Sequence, residues 1–213
     1  MTEWSASVLN MTVVSLTVIF AIFYMNQFLG LLPYLADGVL RWHPLVSLED
    51  SVRLTRDRNA VAVVAFVAVC TVFSRYDVYD AAFLDGFSPG VRTLLVMATL
   101  VGVILLREAL VHIAAPRKGN RENYMVAARS LYDFIIIGTV LGCTTAGVFS
   151  IFGVKDLTIR SVLLWESGLV FALFALRRSQ ILRNSCPELT TFLYLCTLEL
   201  IPAGLLVASA LVF

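Results

Sequence analysis

Six stretches of this chain are too apolar to leave in water, and each is long enough, some of them marginally, to be a membrane-spanning helix. Within the bilayer no water satisfies backbone N–H and C=O groups, so such stretches must form helices or a closed barrel. A spanning helix needs about 20 largely apolar residues, with a lower limit of about 17. The predicted spans are 8–27, 59–74, 91–106, 126–152, 161–176 and 190–213. The composition agrees: 59% of the 213 residues are hydrophobic and only 15% are Asp, Glu, Lys or Arg. An ordinary soluble domain carries about 25% charged residues. The expected fold class is therefore an all-α polytopic bundle of six transmembrane helices in a single domain.

The basic residues orient the bundle. Arg41, Arg53, Arg56 and Arg58 follow the first span. Arg107, Arg117, Lys118, Arg121 and Arg129 follow the third, and Arg177, Arg178 and Arg183 follow the fifth. The other two connections hold only Arg75 and Arg92, then Lys155 and Arg160. Lys and Arg concentrate on the cytoplasmic side of membrane proteins. The alternation thus predicts both termini on the periplasmic face and a multi-pass protein of the cytoplasmic (inner) membrane. The N-terminus, MTEWSAS, has no basic region, and the apolar run after it is too long for a signal peptide, so it reads as the first span.

Between the first two spans, RWHPLVSLEDSVRLTRDR places Leu45, Leu48 and Val52 at helical spacing after Pro44. The segment 44–58 reads as a short amphipathic helix on the inner leaflet or against the bundle. A solvated loop with one helical turn is the alternative. The tract from 75 to 90 mixes aromatic residues with Asp77, Asp80 and Asp85, as expected at a headgroup boundary. The basic turn around Arg117 suits anionic lipid headgroups.

Three acids fall inside spans: Asp133, Glu166 and Glu199. A charge at the centre of a spanning helix costs about 2.5–3.5 kcal/mol on the insertion scale, and such residues face the bundle interior. The rise of about 1.5 Å per residue puts Glu199 near mid-membrane, Glu166 nearer the outer edge and Asp133 nearer the inner edge. A staggered set of this kind is either a proton or cation path or three separate structural contacts. Arg129, one turn before Asp133, is a candidate counter-charge, and Arg107 with Glu108 sits at the inner end of the third span as another possible one. Pro202 lacks a backbone donor and is placed to kink the last span beside Glu199. In the fourth span, Gly138, Gly142 and Ala146 recur at intervals of four, a spacing that lets a neighbouring helix approach closely. That face serves either an intramolecular contact or a dimer seam.

The four cysteines form no CxxC pair and no Cys/His set, so they read as buried thiols. His43 and His112 are isolated. Phosphate-loop, zinc-protease and serine-hydrolase motifs are missing, so no metal or cofactor is expected. A net charge of +1 gives no basis for a nucleic-acid partner.

The tail Tyr194-Leu195-Cys196-Thr197-Leu198-Glu199-Leu200-Ile201-Pro202 resembles the closing motif of an uncharacterised multi-pass inner-membrane family of Bacteroidota. The Tyr132-Asp133-Phe134 entry to the fourth span is similar too. The resemblance implies an inner-membrane protein, with Asp133, Glu199 and Pro202 as motif positions, and brings no activity or ligand. The leading expectation is a non-enzymatic accessory or assembly subunit of an envelope complex, partnered by the bilayer and by a second copy or another membrane protein. The alternative is a small proton- or ion-coupled transporter or channel component using the intramembrane acids. A lipid-modifying enzyme is a weaker reading, because no paired nucleophile and base is present.

Overall fold

The computed structural model describes residues 2–40, 51–84, 86–114, 121–183 and 188–212. Among these there are helices and turns and no strand. The helices are α1 (Thr2–Ala6), α2 (Val8–Phe23), α3 (Met25–Leu40), α4 (Val52–Arg75), α5 (Pro89–Ala114), α6 (Arg121–Ile151), α7 (Asp156–Arg183), α8 (Glu188–Leu195) and α9 (Ile201–Val212), with a π-helical turn at Cys196–Leu200 between the last two. Five helical units are long and apolar enough to cross a membrane, and a sixth crossing is made if the bent pair α2–α3 counts as one. The chain is thus an all-α multi-pass membrane protein.

The helices outrun the apolar runs that mark them. α6 has 31 residues, about 46 Å at the helical rise, against a hydrocarbon core about 30 Å thick. α4 starts at Val52, with the Ser51 hydroxyl accepting from the Leu54 N–H at 3.4 Å as an N-cap. Residues 52–58 are therefore the first turns of a spanning helix, not part of a separate amphipathic helix. The rest of that expected segment, 44–50, lies outside the described residues, as do Cys186 and the basic turn at 115–120.

α6 is the central post. It packs along α4 on one side and α7 on the other, while α5 leans on α4 and on the last span. The small-residue stripe faces α7. A methyl group built on Gly138 would meet Val170 Cγ1 at 3.4 Å, and one on Gly142 would meet Leu163 Cδ2 at 3.5 Å. Ala146 is buried with Ile159 and Leu163. Gly138, Gly142 and Ala146 thus serve a contact within the chain. On the opposite side, the Thr139 hydroxyl donates to the Ala65 carbonyl at 3.0 Å, tying α6 to α4.

The first span breaks at Tyr24, which leaves helical dihedrals (φ −92°, ψ 8°), and α3 departs from α2 at 73°. Ser7 and Leu9 lie against Gly90 at the start of α5, whereas Tyr24 lies beside Ala60 near the start of α4. α2 therefore traverses the bundle. α3 then runs across the basic-rich end, where Leu31 and Leu35 pack on Val61, Ala62 and Ile136. Arg177 donates to the Val39 carbonyl at 2.7 Å. Near the chain's other end, Tyr79 and Ser209 share a hydrogen bond of 2.7 Å, and Trp4 Nε1 donates to Ser74 Oγ at 3.3 Å. Trp4 and Ser209 thus lie at the same end of the bundle, opposite Arg183.

Candidate functional site

The last span is where sequence, backbone and charge converge. Pro202 offers no N–H to the Leu198 carbonyl, so a plain α-helix cannot close here. The chain accommodates this with a wider turn, in which Ile201 donates to the carbonyl of Cys196, five residues back. Single π turns of this kind recur at functional positions in helices. This one places Glu199 inward, and its side chain is almost fully buried.

Two arginines from different helices meet that carboxylate. Arg107 of α5 donates through Nε to Glu199 Oε1 and Oε2 at 3.0 and 3.2 Å, and its Nη2 lies 2.9 Å from Oε1. Arg178 of α7 closes the other side through Nη1 to Oε1, with no solvent exposure. Arg107 also donates to the Ala128 carbonyl of α6 at 2.9 Å and to Glu108 Oε1 at 3.0 Å. One carboxylate thus gathers α5, α7 and the last span, and Arg107 extends the contact to α6. Tyr124 supports it from below: its hydroxyl donates to the Val111 carbonyl at 3.0 Å and its ring lies 5.3 Å from Tyr194.

Asp133 belongs to a second pair in the same layer. Arg58 Nη1 of α4 lies 3.8 Å from Asp133 Oδ2, and both side chains are buried. The Arg58 guanidinium sits 5.8 Å from the Tyr132 ring. Phe174 links the two pairs, 5.6 Å from Phe134 and 5.8 Å from the Arg107 guanidinium. Asp133 and Glu199 are therefore neighbours in depth, both in the basic-rich half. Arg129 is exposed, and Arg58 is the buried cation that faces Asp133.

Glu166 stands apart. It lies twelve residues before Arg178, about 18 Å along α7. Thr145 donates to its Oε1 at 2.6 Å, while its buried Oε2 has no hydrogen-bond partner among the described residues. Glu166 borders a cavity of about 240 Å³ between α5 and the α4–α6–α7 layer, whose other walls include Phe66, Leu100, Phe134 and Val170. The three acids expected at three depths thus divide into two in one charged layer and one near an apolar cavity.

Sequence reasoning named Arg107 only as a possible counter-charge and passed over Arg58 and Arg178, because their place at span ends made them look like solvated flanks. The available signal was the acid itself, since a carboxylate within an apolar run needs a cation on a neighbouring helix. Among the described residues no cluster of His, Cys, Asp and Glu could hold a metal ion. No protein-family model, curated protein or solved structure matches the chain.

Proposed function

We propose that this chain is a non-catalytic accessory or assembly subunit of the cytoplasmic membrane, working through contacts with other membrane proteins. The observation that carries this reading is the Arg107–Glu199–Arg178 clasp. A carboxylate held by two buried guanidiniums is not poised to release and recapture protons; it fixes the position of a helix. Asp133 is likewise engaged with Arg58. With these charges turned inward, the remaining surface is dominated by apolar side chains such as Ile22, Leu169 and Val207, suited to lipid and to neighbouring spans. Membership of the Bacteroidota family whose tail motif the chain resembles would fit this reading.

The test is cross-linking in the native membrane, followed by mild-detergent purification and mass spectrometry. A stoichiometric membrane-protein partner, or a second copy of the chain, is expected. A lone monomer under every mild condition overturns the proposal.

One observation favours the transport alternative: the unsatisfied Glu166 oxygen. In that case Glu166, rather than Glu199, is the acid on the transport path. Purified chain in proteoliposomes would then show a proton flux that Glu166→Gln abolishes.

A further inference from the structure

At the end of the bundle opposite the charged layer, the tips of α4, α5 and α7 and the N-terminal Trp4 surround an open bowl of about 530 Å³. Ligand sites are commonly about 300–1,000 Å³. The sequence allots only four basic residues to this end, and three of them, Arg75, Arg92 and Arg160, line the bowl.

Two of the three are spoken for. Arg92 reaches Asp80 at 2.7 Å and Asp77 at 3.3 Å, and Arg160 reaches Asp80 at 3.2 Å. Arg75 differs. Its guanidinium lies 5.8 Å from the Trp4 ring and 5.4 Å from the Tyr76 ring, and makes no ion pair among the described residues. Asp156, the first residue of α7, also lines the bowl and has no cation among the described residues. The helix dipole favours an acid at that position, so nothing in the fold needs to neutralise it. The wall thus offers one unmatched cation and one unmatched anion. Its lining also includes Phe87 and Leu157, which are 52% and 72% exposed.

A ligand that suits this wall has an anionic group, a cationic donor and a hydrocarbon part. We propose that the bowl holds the headgroup of one zwitterionic phospholipid of the phosphatidylethanolamine type. Its phosphate lies on Arg75 and its ammonium on Asp156, and its chains run past Phe87 and Leu157 into the bilayer. The guanidinium fork matches phosphate oxygens in geometry as well as charge. Trp and Tyr sit at headgroup level in membrane proteins, so the rings that hold Arg75 are also placed to hold the lipid's interfacial segment.

The experiment is native mass spectrometry of the full chain in detergent after delipidation. It is titrated with dioleoyl phosphatidylethanolamine, phosphatidylglycerol and phosphatidylcholine, and separately with inorganic phosphate. One saturable adduct is expected, tightest for phosphatidylethanolamine. Arg75→Gln weakens it about tenfold or more, the loss of one charge-assisted contact. Asp156→Asn weakens phosphatidylethanolamine binding and leaves phosphatidylglycerol binding unchanged or tighter. Asp156 is exposed, so that variant reports even if Arg75→Gln fails to fold, and Arg75→Lys then supplies the milder change at the cation. The proposal is overturned if the wild type binds the three lipids equally. Indifference of phosphatidylethanolamine binding to Asp156→Asn or to Arg75→Gln also overturns it. Displacement of the lipid by inorganic phosphate assigns the site to a free anion and overturns it as well.

Discussion

At the scale of single residues, Glu199 decides more than any other side chain. Removing one member of a buried ion pair leaves an uncompensated charge and costs about 3–5 kcal/mol, whereas removing both members together costs far less. Glu199→Gln leaves Arg107 and Arg178 facing each other without their shared anion. It is expected to lower the unfolding free energy by about that amount, measured by steric trapping or denaturant titration in detergent. The double variant Glu199→Gln with Arg178→Gln is expected to recover part of the loss, a coupling of the kind seen between residues in contact. Additive effects would show that the clasp is not an energetic unit. The acid at position 199 was legible as a buried group, because only shelter makes a carboxylate tolerable in hydrocarbon. Its pairing with Arg107 and Arg178 was not, although Arg107 stood out as a possible counter-charge. A basic residue just past an apolar run reads as solvated until the helix is known to continue beyond the run, as α5 does seven residues past Arg107 and α7 five past Arg178.

At the scale of elements, the spacing of small residues on α6 was readable and its destination was not. A period of four marks a face for close approach but does not say whether the neighbour belongs to the same chain. The structure supplies α7 as that neighbour. Ala146→Leu forces a larger side chain against Ile159 and Leu163 and is expected to destabilise by about 1–3 kcal/mol. Gly147→Leu, one position on, faces open space and is expected to change stability little. Thermal unfolding in detergent separates the two, and equal effects would remove α6–α7 packing from the account. The bend in the first span shows a limit of another kind. Pro33, the local helix breaker, lies inside α3, and the break falls at Tyr24 instead. Nothing local in the sequence explains that choice. In the last span, Pro202 signalled an interrupted ladder, but a wider turn and a sharp kink are both ways of losing one donor, and the fold takes the wider turn.

For the whole molecule, the alternation of basic connections anticipated what the contacts now show: Trp4 and Ser209 at one end, Arg183 and Val39 at the other. Orientation in the cell is a separate matter, set by which end carries most Lys and Arg. Single cysteines introduced at Ser5 and Ser209 in a background lacking the native four are expected to react together with a membrane-impermeant thiol reagent from the periplasmic face. One at Arg183 is expected to react only after permeabilisation. Labelling of Ser5 and Ser209 from opposite faces would break the six-crossing arrangement. The polar interior is also unevenly distributed. Five buried charge-bearing side chains share the basic-rich half, Arg58 with Asp133 and Glu199 with Arg107 and Arg178, and the interior of the other end relies on hydroxyl contacts such as Ser74 with Thr93 at 2.7 Å. One half of the bundle is therefore held by buried charge, whereas in the other the ion pairs of Arg92 and Arg160 with Asp80 lie at the surface and hydroxyl contacts lie inside.

The clasp also has a bearing on the order of synthesis. Arg107 emerges from the ribosome 92 residues before Glu199, and Arg178 emerges 21 residues before it. Until the closing helix arrives, two guanidiniums at the rim of the hydrocarbon have no shared carboxylate, and each is expensive to sink deeper. The nascent chain must keep them near the headgroups and draw them inward only when the tail is threaded. Completion of the final helix is then the event that locks the earlier ones, and a chain stopped short of residue 199 is left with two guanidiniums that lack their common carboxylate.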